Sequence, residues 1–375
     1  MAQAARGTGE CAEAASQSTA RFNFVDKLAF FPEKVWRVLQ GDALGALSVV
    51  YLDLNTDICN HSCQFCDGFH RSIRRKTFST ERLLRLAGEF EDVGVQAVVI
   101  AGDRGEPLMH PGAAELIMRL VRSGIAIGIY TNGTVLSRKL REALEEVTWL
   151  RVSADSASAK THQLMHGYPP TRNDFARMIR NLRWFSTAIE DVGCSFILDP
   201  INVQEIAWAA EVLLGAGAHF VEYKPKYLPD YEVDSDWLLA NRESIDGSLR
   251  AARDRWGDRV IVNSQIDALL HGSGYPRLTV EPRLCRTSLL RMVISTHGCY
   301  PCTPYRGVAE RKLGDIETQT LREVLQSAER QALHGTPCER KCAYHAQNEF
   351  LLALNGDASS LLPPSRAVTM QDKFV

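Results

Sequence analysis

The sequence has no run of 18 or more apolar residues, so it offers no segment of the length that spans a membrane as a helix. Its N-terminus lacks the basic-then-apolar order of a secretory signal. An excess of charge of one sign is also missing, because 43 basic and 45 acidic residues leave a formal charge of −2. Such a balance gives no electrostatic basis for binding nucleic acid or a membrane. We therefore expect a soluble, cytoplasmic protein without either partner.

The composition is that of an ordinary globular protein. Apolar residues make up 45% and charged residues 23% of the 375 residues, which is enough chain for two or three structural units. From residue 48 to residue 270, apolar runs alternate with amphipathic stretches, which predicts an α/β unit with a parallel sheet. The predicted strands are 48–55, 96–102, 125–131, 149–155, 194–199, 219–224 and 259–264.

The remaining segments flank this unit. Residues 1–20 are small and polar and are predicted to form a disordered tail, and residues 21–47 to form a helical extension. After residue 275 the alternation of strands and helices ends, and the pattern predicts a hairpin with its turn at His297–Gly298, followed by a helix. We therefore expect a small α+β domain at 275–355 and a C-terminal tail at 356–375.

Eight of the ten cysteines fall into two clusters, which in a reducing compartment favours metal ligands over disulfides. The first cluster, Cys59, Cys63 and Cys66, directly follows the first predicted strand. Three thiolates on one short loop suit a cubane iron–sulfur cluster with one iron free of protein ligand. The alternatives are a zinc site that includes His61 or His70, or three unrelated thiols.

These cysteines, with the aromatic Phe65, form a CxxxCxΦC motif that resembles the signature of the radical S-adenosylmethionine (radical SAM) superfamily. The resemblance implies that the cysteines hold a [4Fe–4S] cluster and that SAM chelates its fourth iron. It further implies that an electron from the cluster cleaves SAM to methionine and a 5′-deoxyadenosyl radical, which takes hydrogen from the substrate. A reducing partner such as flavodoxin or ferredoxin is implied with it.

Motifs further along the chain resemble the same family. The stretch Gly102-Asp103-Arg104-Gly105-Glu106-Pro107 resembles its Gly-Glu-Pro loop, which implies that Glu106 and the loop backbone hold the amino group of SAM. The resemblance covers residues 48–264 and implies a partial (β/α)₆ barrel with its site at the C-terminal ends of the strands. The residues that it implies for SAM binding are Phe65, Gly102, Gly105, Glu106, Pro107, Asn132, Ser153, Asp155 and Asn202.

The second cysteine cluster resembles the SPASM and twitch domains that follow the barrel in many radical SAM enzymes. Cys285 and the stretch HGCYPC resemble their opening, and Cys338 and Cys342 complete the pattern. A twitch domain needs four cysteines for one auxiliary [4Fe–4S] cluster, and Cys285, Cys302, Cys338 and Cys342 meet that number. A structural zinc site made of the same four thiolates remains the alternative.

The two kinds of domain together limit the reaction class but not the substrate. Only about 47 residues precede the first predicted strand, which favours a small polar substrate, such as a sugar or aminocyclitol, over a peptide. Glu222 and Lys224 share one face of the sixth strand and could bind a hydroxyl or amine or remove a proton, or they could form a surface ion pair.

We expect oxidation, with the auxiliary cluster as electron acceptor. In the alternative, an epimerase, Cys299 would return a hydrogen atom to the substrate, unless it is simply a small buried residue. A non-enzymatic iron–sulfur carrier would leave the Gly-Glu-Pro loop unexplained.

Overall fold

The computed structural model describes residues 24–56, 58–66, 76–228, 233–272, 279–340, 342, 344–356, 361 and 366–375. The predicted tail at 1–20 and His70 lie outside the described residues.

Seven consecutive parallel strands form the central sheet, one for each predicted strand. Each is paired in register with the next along the chain. The observed fifth strand begins two residues before the predicted one. The strands are β1 (Val49–Asp53), β2 (Ala97–Ala101), β3 (Ala126–Thr131), β4 (Trp149–Ser153), β5 (Val192–Ile197), β6 (Phe220–Lys224) and β7 (Val260–Val262).

Helices cover the outer face of the sheet, because their apolar residues recur at helical spacing and face the strands. The helix at 113–122, for example, buries Leu116, Ile117 and Leu120. The helices are α1 (Phe24–Leu28), α2 (Pro32–Leu39), α3 (Thr80–Asp92), α4 (Ala113–Arg122), α5 (Arg138–Leu144), α6 (Ala159–His166), α7 (Asp174–Ala188), α8 (Ile206–Gly215), α9 (Asp236–Ala240), α10 (Arg242–Trp256), α11 (Ser264–His271), α12 (Leu321–Leu325), α13 (Ala328–Ala332) and α14 (His345–Ala353). None of these described helices is long and apolar enough to cross a membrane.

The C-terminal region contains the predicted hairpin, formed by β9 (Arg291–Ser295) and β10 (Gly298–Tyr300). This hairpin continues the central sheet, because β9 pairs in parallel with β1. The strand order across the sheet is therefore β10-β9-β1-β2-β3-β4-β5-β6-β7. A separate antiparallel pair, β8 (Thr279–Leu284) and β11 (Pro337–Arg340), precedes α14.

The predicted fold class is confirmed: a parallel α/β sheet of the partial-barrel type, followed by a small α+β region. The segment predicted as a C-terminal tail is ordered at its end, where Phe374 and Val375 are buried and the Phe374 ring lies 5.4 Å from that of Trp149.

Candidate active site

Three cysteines lie on the loop that follows β1. The Cys66 N–H donates to the Cys63 carbonyl at 3.2 Å, and the His61 N–H donates to Cys59 Sγ at 3.4 Å. Burial raises the pKa of Cys59 to about 11 and that of Cys63 well above its usual value, and the neighbouring thiols of the loop add to both shifts. Sulfurs that oppose one another's ionisation in this way become thiolates together only around a cation. Three such ligands fit an iron–sulfur cluster.

Glu106 is a buried carboxylate at the ends of β2 and β3. Its oxygens accept hydrogen bonds from the Thr131 hydroxyl at 2.6 Å, the Asn132 N–H at 2.7 Å and the Leu108 N–H at 3.1 Å. Burial raises the pKa of Glu106 to about 7 despite these donors. No described cationic side chain pairs with it, so the carboxylate fits a cationic ligand such as the SAM ammonium. Asn132 also donates to Asn60 Oδ1 at 2.8 Å, which ties this turn to the cysteine loop.

The Gly102–Pro107 loop packs against the start of the cysteine loop. A Cβ on Gly105 would lie 1.6 Å from Asn55 Oδ1, and a Cβ on Gly102 would lie 1.8 Å from the Gly105 carbonyl oxygen, so only glycine fits at either position. The Glu106 N–H donates to the Ile58 carbonyl at 2.8 Å. The two loops are therefore joined directly.

Asp155 follows β4 and combines several features of a ligand-binding residue. It is fully buried and has a φ of 50°, in the left-handed region that costs energy for a residue with a Cβ. Its Oδ1 accepts from the Ile197 N–H at 2.7 Å, whereas its buried Oδ2 has no hydrogen-bond partner among the described residues. Burial raises the pKa of Asp155 to about 7. The unused oxygen fits a ligand hydroxyl, as the resemblance implied for the SAM ribose.

The Asn202 side chain makes only backbone contacts near this site. It donates to the carbonyls of Asp155 and Ile197 at 2.9 and 2.8 Å, and it is fully buried. Its amide therefore supports the strained backbone of Asp155. Both amide hydrogens are used in these bonds, and SAM binding by Asn202 stays a prediction.

Three buried histidines lie beside the cysteine loop: His61, which the zinc alternative named, and His162 and His166, which were not predicted. The Nδ1 atom of His166 lies 3.2 Å from Cys63 Sγ, and its ring packs against His162 with centroids 4.2 Å apart. His61 Nε2 lies 3.1 Å from Asp174 Oδ2. Burial lowers the pKa of His61 to about 4 and that of His166 to about 3, so both imidazoles are neutral at pH 7. The i, i+4 spacing of His162 and His166 on α6 was the only signal in the sequence.

The same loop and α6 approach each other very closely. Ser62 N–H donates to the His166 carbonyl at 2.9 Å, and Gly167 has a φ of 62° that ends the helix. A Cβ at Gly167 would lie 2.5 Å from the Ser62 carbonyl oxygen. Donor atoms of His61, Cys63 and His166 lie within 4.8 Å of one another, which keeps the zinc alternative geometrically possible. Phe65 also packs here, 5.8 Å from the His166 ring.

The inner face of the barrel carries the two predicted substrate residues. Ser153 on β4 and Glu222 on β6 are both register partners of Ser195 on β5, so their side chains point to the same face of the sheet. Lys224 Nζ lies 3.0 Å from Glu222 Oε2 and 5.6 Å from the centre of the Tyr130 ring. The side chains of Lys224 and Glu222 are 26% and 15% exposed, so the pair is half-buried and not a surface ion pair.

Four cysteines of the C-terminal region line a single cavity: Cys285, Cys302, Cys338 and Cys342. A hydrogen bond with Cys338, together with burial, raises the pKa of Cys285, and burial with the neighbouring thiols raises that of Cys302. Tyr305 OH lies 3.6 Å from Cys338 Sγ. This convergence fits one metal centre with four thiolate ligands.

Cys299 is not part of this cavity or of the barrel's inner face. It pairs with Ile294 across the hairpin, and both side chains belong to the apolar core on the outer side of the sheet. It is fully buried, and burial raises the pKa of its thiol to about 12. The placement favours the interpretation of Cys299 as a small buried residue.

Comparison of the sequence with known protein families identifies the kind of domain that holds this site. The family model described as the Radical SAM superfamily matches residues 56–205, a range that holds the three loop cysteines, Glu106 and Asp155. The chain contains a radical SAM domain over these residues. This family uses SAM and a [4Fe–4S] cluster, which the three loop cysteines and Glu106 fit, and the C-terminal cysteines fit an auxiliary cluster.

Individual radical SAM proteins resemble the chain to different extents. It is 25% identical over 294 residues to the AdoMet-dependent heme synthase of Methanosarcina barkeri, covering 72% of this chain and 80% of that protein. It is also 25% identical over 216 residues to the sporulation killing factor maturation protein SkfB of Bacillus subtilis, covering 55% of this chain and half of that protein.

Two solved structures have a fold similar to that of this chain. Streptococcus suis SuiB bound to its precursor peptide SuiA superposes with a TM-score of 0.59 at 16% identity, covering 81% of this chain and 69% of SuiB. The enzyme anSMEcpe with bound AdoMet gives a TM-score of 0.57 at 16% identity, covering 83% of this chain and 94% of that one.

Proposed function

We propose that this radical SAM enzyme oxidises a small polar substrate by removing two hydrogens, with residues 48–270 as the barrel and residues 275–355 as an auxiliary-cluster domain. The observation that carries the proposal is the half-buried Lys224–Glu222 pair, which faces the inside of the barrel on the same side as Ser153. A cation and an anion at this position suit a substrate that carries hydroxyl or amino groups.

The residues that would hold the cofactors follow from the site geometry. Cys59, Cys63 and Cys66 would bind the cluster, Glu106 the SAM ammonium and Asp155 Oδ2 a ribose hydroxyl. The Gly102–Pro107 backbone, Asn132, Phe65 and Ser153 would complete the SAM site. When bound, the cluster and SAM supply a 5′-deoxyadenosyl radical, which abstracts hydrogen from the substrate.

Lys224 and Glu222 would have different roles. Burial alone would lower the pKa of Lys224, but the adjacent Glu222 carboxylate and Tyr130 raise it above its usual value. Lys224 therefore stays an ammonium and serves as a hydrogen-bond donor to the substrate. Glu222 is the carboxylate in position to accept the proton that leaves a substrate hydroxyl or amine during oxidation.

The C-terminal region offers an acceptor for the remaining electron. Its four cysteines would hold an auxiliary [4Fe–4S] cluster that supplies a one-electron acceptor. Tyr344, beside Cys342, hydrogen-bonds to Tyr51 on the inner face of the barrel, and the Arg291 guanidinium lies 3.4 Å from the Tyr344 ring centre. Tyr344, which lines the cavity of these cysteines, and Tyr51 therefore connect that cavity to the inner face of the barrel.

Two alternatives are distinguishable from oxidation of a small molecule. An epimerase would need a hydrogen donor on the inner face, and Cys299 lies on the outer side of the sheet. Peptide modification is suggested by the names of SkfB and of SuiB with its precursor peptide, although the heme synthase, which aligns over more of the chain, is named for a small-molecule product.

The test is anaerobic turnover of the reconstituted protein with SAM, dithionite or reduced flavodoxin, and a panel of amino sugars and aminocyclitols. We expect substrate-dependent 5′-deoxyadenosine and an equal amount of a product two hydrogens lighter. Lys224→Met should abolish substrate stimulation while leaving the slow, substrate-free cleavage of SAM unchanged. A product of unchanged mass that carries solvent deuterium would instead identify an epimerase.

A further inference from the structure

One arginine of the C-terminal region is buried between two aspartates of the barrel. Arg306 is 9% exposed at its side chain, and Asp53 and Asp103 are 1% and 0% exposed. Arg306 Nη1 lies 3.2 Å from Asp53 Oδ2, and its Nε lies 3.0 Å from Asp103 Oδ1. One guanidinium thus pairs with two carboxylates away from water, where an opposite charge is costly to lose.

Each aspartate leads into one of the two loops that form the SAM site. Asp53 ends β1, six residues before Cys59, and Asp103 is the second residue of the Gly102–Pro107 loop that presents Glu106. The two loops are joined to each other by hydrogen bonds such as that from the Glu106 N–H to the Ile58 carbonyl. A cation that bridges Asp53 and Asp103 fixes the distance between them.

Arg306 is in turn fixed by the auxiliary-cluster cavity. Tyr305 N–H donates to the Cys302 carbonyl and Arg306 N–H to the Thr303 carbonyl, both at 3.1 Å, so a single tight turn joins Cys302 to Arg306. The turn leaves little freedom between the cluster ligand and the guanidinium.

We propose that Arg306 is a positioning residue through which the auxiliary-cluster region holds the SAM-binding loops in place. The proposal rests on the SAM site described above. Its consequence is that SAM affinity depends on a side chain that touches neither SAM nor the cluster.

The experiment measures SAM binding to the anaerobically reconstituted full-length protein by equilibrium dialysis with radiolabelled SAM. Arg306→Gln should raise the Kd for SAM at least tenfold, and Arg306→Lys should fall between this variant and the wild type, because one ammonium cannot span both carboxylates. The electron paramagnetic resonance spectrum of the reduced protein should respond to SAM only at correspondingly higher concentrations.

Arg306→Gln removes the cation that lies between two buried aspartates and could fail to fold. Asp103→Asn is the second variant, because it keeps Arg306 paired with Asp53 and removes the charge link between Arg306 and the Gly102–Pro107 loop. It should raise the Kd for SAM as well, with the iron content unchanged.

The matched control is Arg82→Gln. Arg82 is equally buried and also joins the barrel to the C-terminal region, since its Nε donates to the Ile316 carbonyl at 2.9 Å, but it is bound through α3 and not through the SAM loops. Its Kd for SAM should stay within twofold of the wild type.

The proposal is overturned if Arg306→Gln or Asp103→Asn, with full iron content, binds SAM within twofold of the wild type. It is also overturned if Arg82→Gln weakens binding as much as Arg306→Gln, since docking in general would then be the cause. A wild-type protein that holds its clusters but does not bind SAM would refute the site assignment itself, and with it this inference.

Discussion

The buried carboxylate of Glu106 allows a quantitative test of the SAM site. Glu106→Gln keeps the size of the side chain but removes its charge and turns a hydrogen-bond donor toward the Asn132 N–H or the Thr131 hydroxyl. A hydrogen bond to a charged group contributes about 1.5–3 kcal/mol, and 1.4 kcal/mol is a factor of ten. We therefore expect the Kd for SAM at pH 8 to rise roughly 10- to 150-fold.

The pH dependence of SAM binding tests which protonation state of Glu106 binds SAM. With a pKa of about 7 in the SAM-free protein, Glu106 is mostly protonated at pH 6 and mostly ionised at pH 8. Only the ionised form pairs with an ammonium, so the wild type should bind SAM about tenfold more weakly at pH 6 than at pH 8. Titration of SAM itself affects both proteins equally, so the ratio of the two Kd values isolates Glu106.

The free energy of unfolding of the SAM-free protein should fall as the pH rises, whereas its affinity for SAM should increase. Because the folded-state pKa of Glu106 lies above the unfolded value of 4.5, its ionisation destabilises the SAM-free protein progressively as the pH rises from about 4.5 through 7. Between pH 6 and pH 8 the wild type should lose about 1 kcal/mol more unfolding free energy than Glu106→Gln, measured by urea denaturation without oxygen. A variant that binds SAM like the wild type, with the same pH profile, would refute the reasoning.

The other predictions concern the metal sites and Cys299. The wild type should hold about eight irons, four per cluster. Replacing all three loop cysteines with alanine should leave about four irons and abolish 5′-deoxyadenosine formation. A wild type with about four irons and one zinc would instead make the second site structural. Cys299→Ala should retain turnover in deuterated water, whereas selective loss of an epimeric product would restore the hydrogen-donor role.

The strands and the cysteine loop could be predicted from the sequence because each is encoded locally. Seven apolar runs separated by amphipathic stretches define a parallel sheet, and the spacing of Cys59, Cys63 and Cys66 defines a ligand set on a single loop. The role of Glu106 was predicted from the resemblance of its loop, one helix and one strand later, to the Gly-Glu-Pro loop of the radical SAM family. Its hydrogen bonds to Thr131 and Asn132 follow from neighbouring parallel strands that end at one edge.

The orientation of Cys299 could not be predicted, although its position three residues from Cys302 was evident. In a strand a shift of one residue exchanges the two faces, and the register of β9 against β10 places Cys299 opposite Ile294 on the outer side. The contacts of His166 with Cys63 and of Arg306 with Asp53 were equally inaccessible. They join positions 103 and 253 residues apart, and only the tertiary fold brings such groups together.

The shared sheet explains how two metal sites could work on one substrate. β9 pairs with β1 over four residue positions, so the strand that leads into the C-terminal hairpin is hydrogen-bonded to the strand that leads into the cysteine loop. The fully buried Arg330 donates to the Ser288 and Leu289 carbonyls at 2.7 Å and fixes the segment before β9. The two cysteine sets therefore cannot move apart without breaking a central ladder and a buried charge contact. If the C-terminal site accepts the electron, as we propose, this arrangement would keep it at a constant distance from the inner face of the barrel, which a domain on a flexible linker would not do.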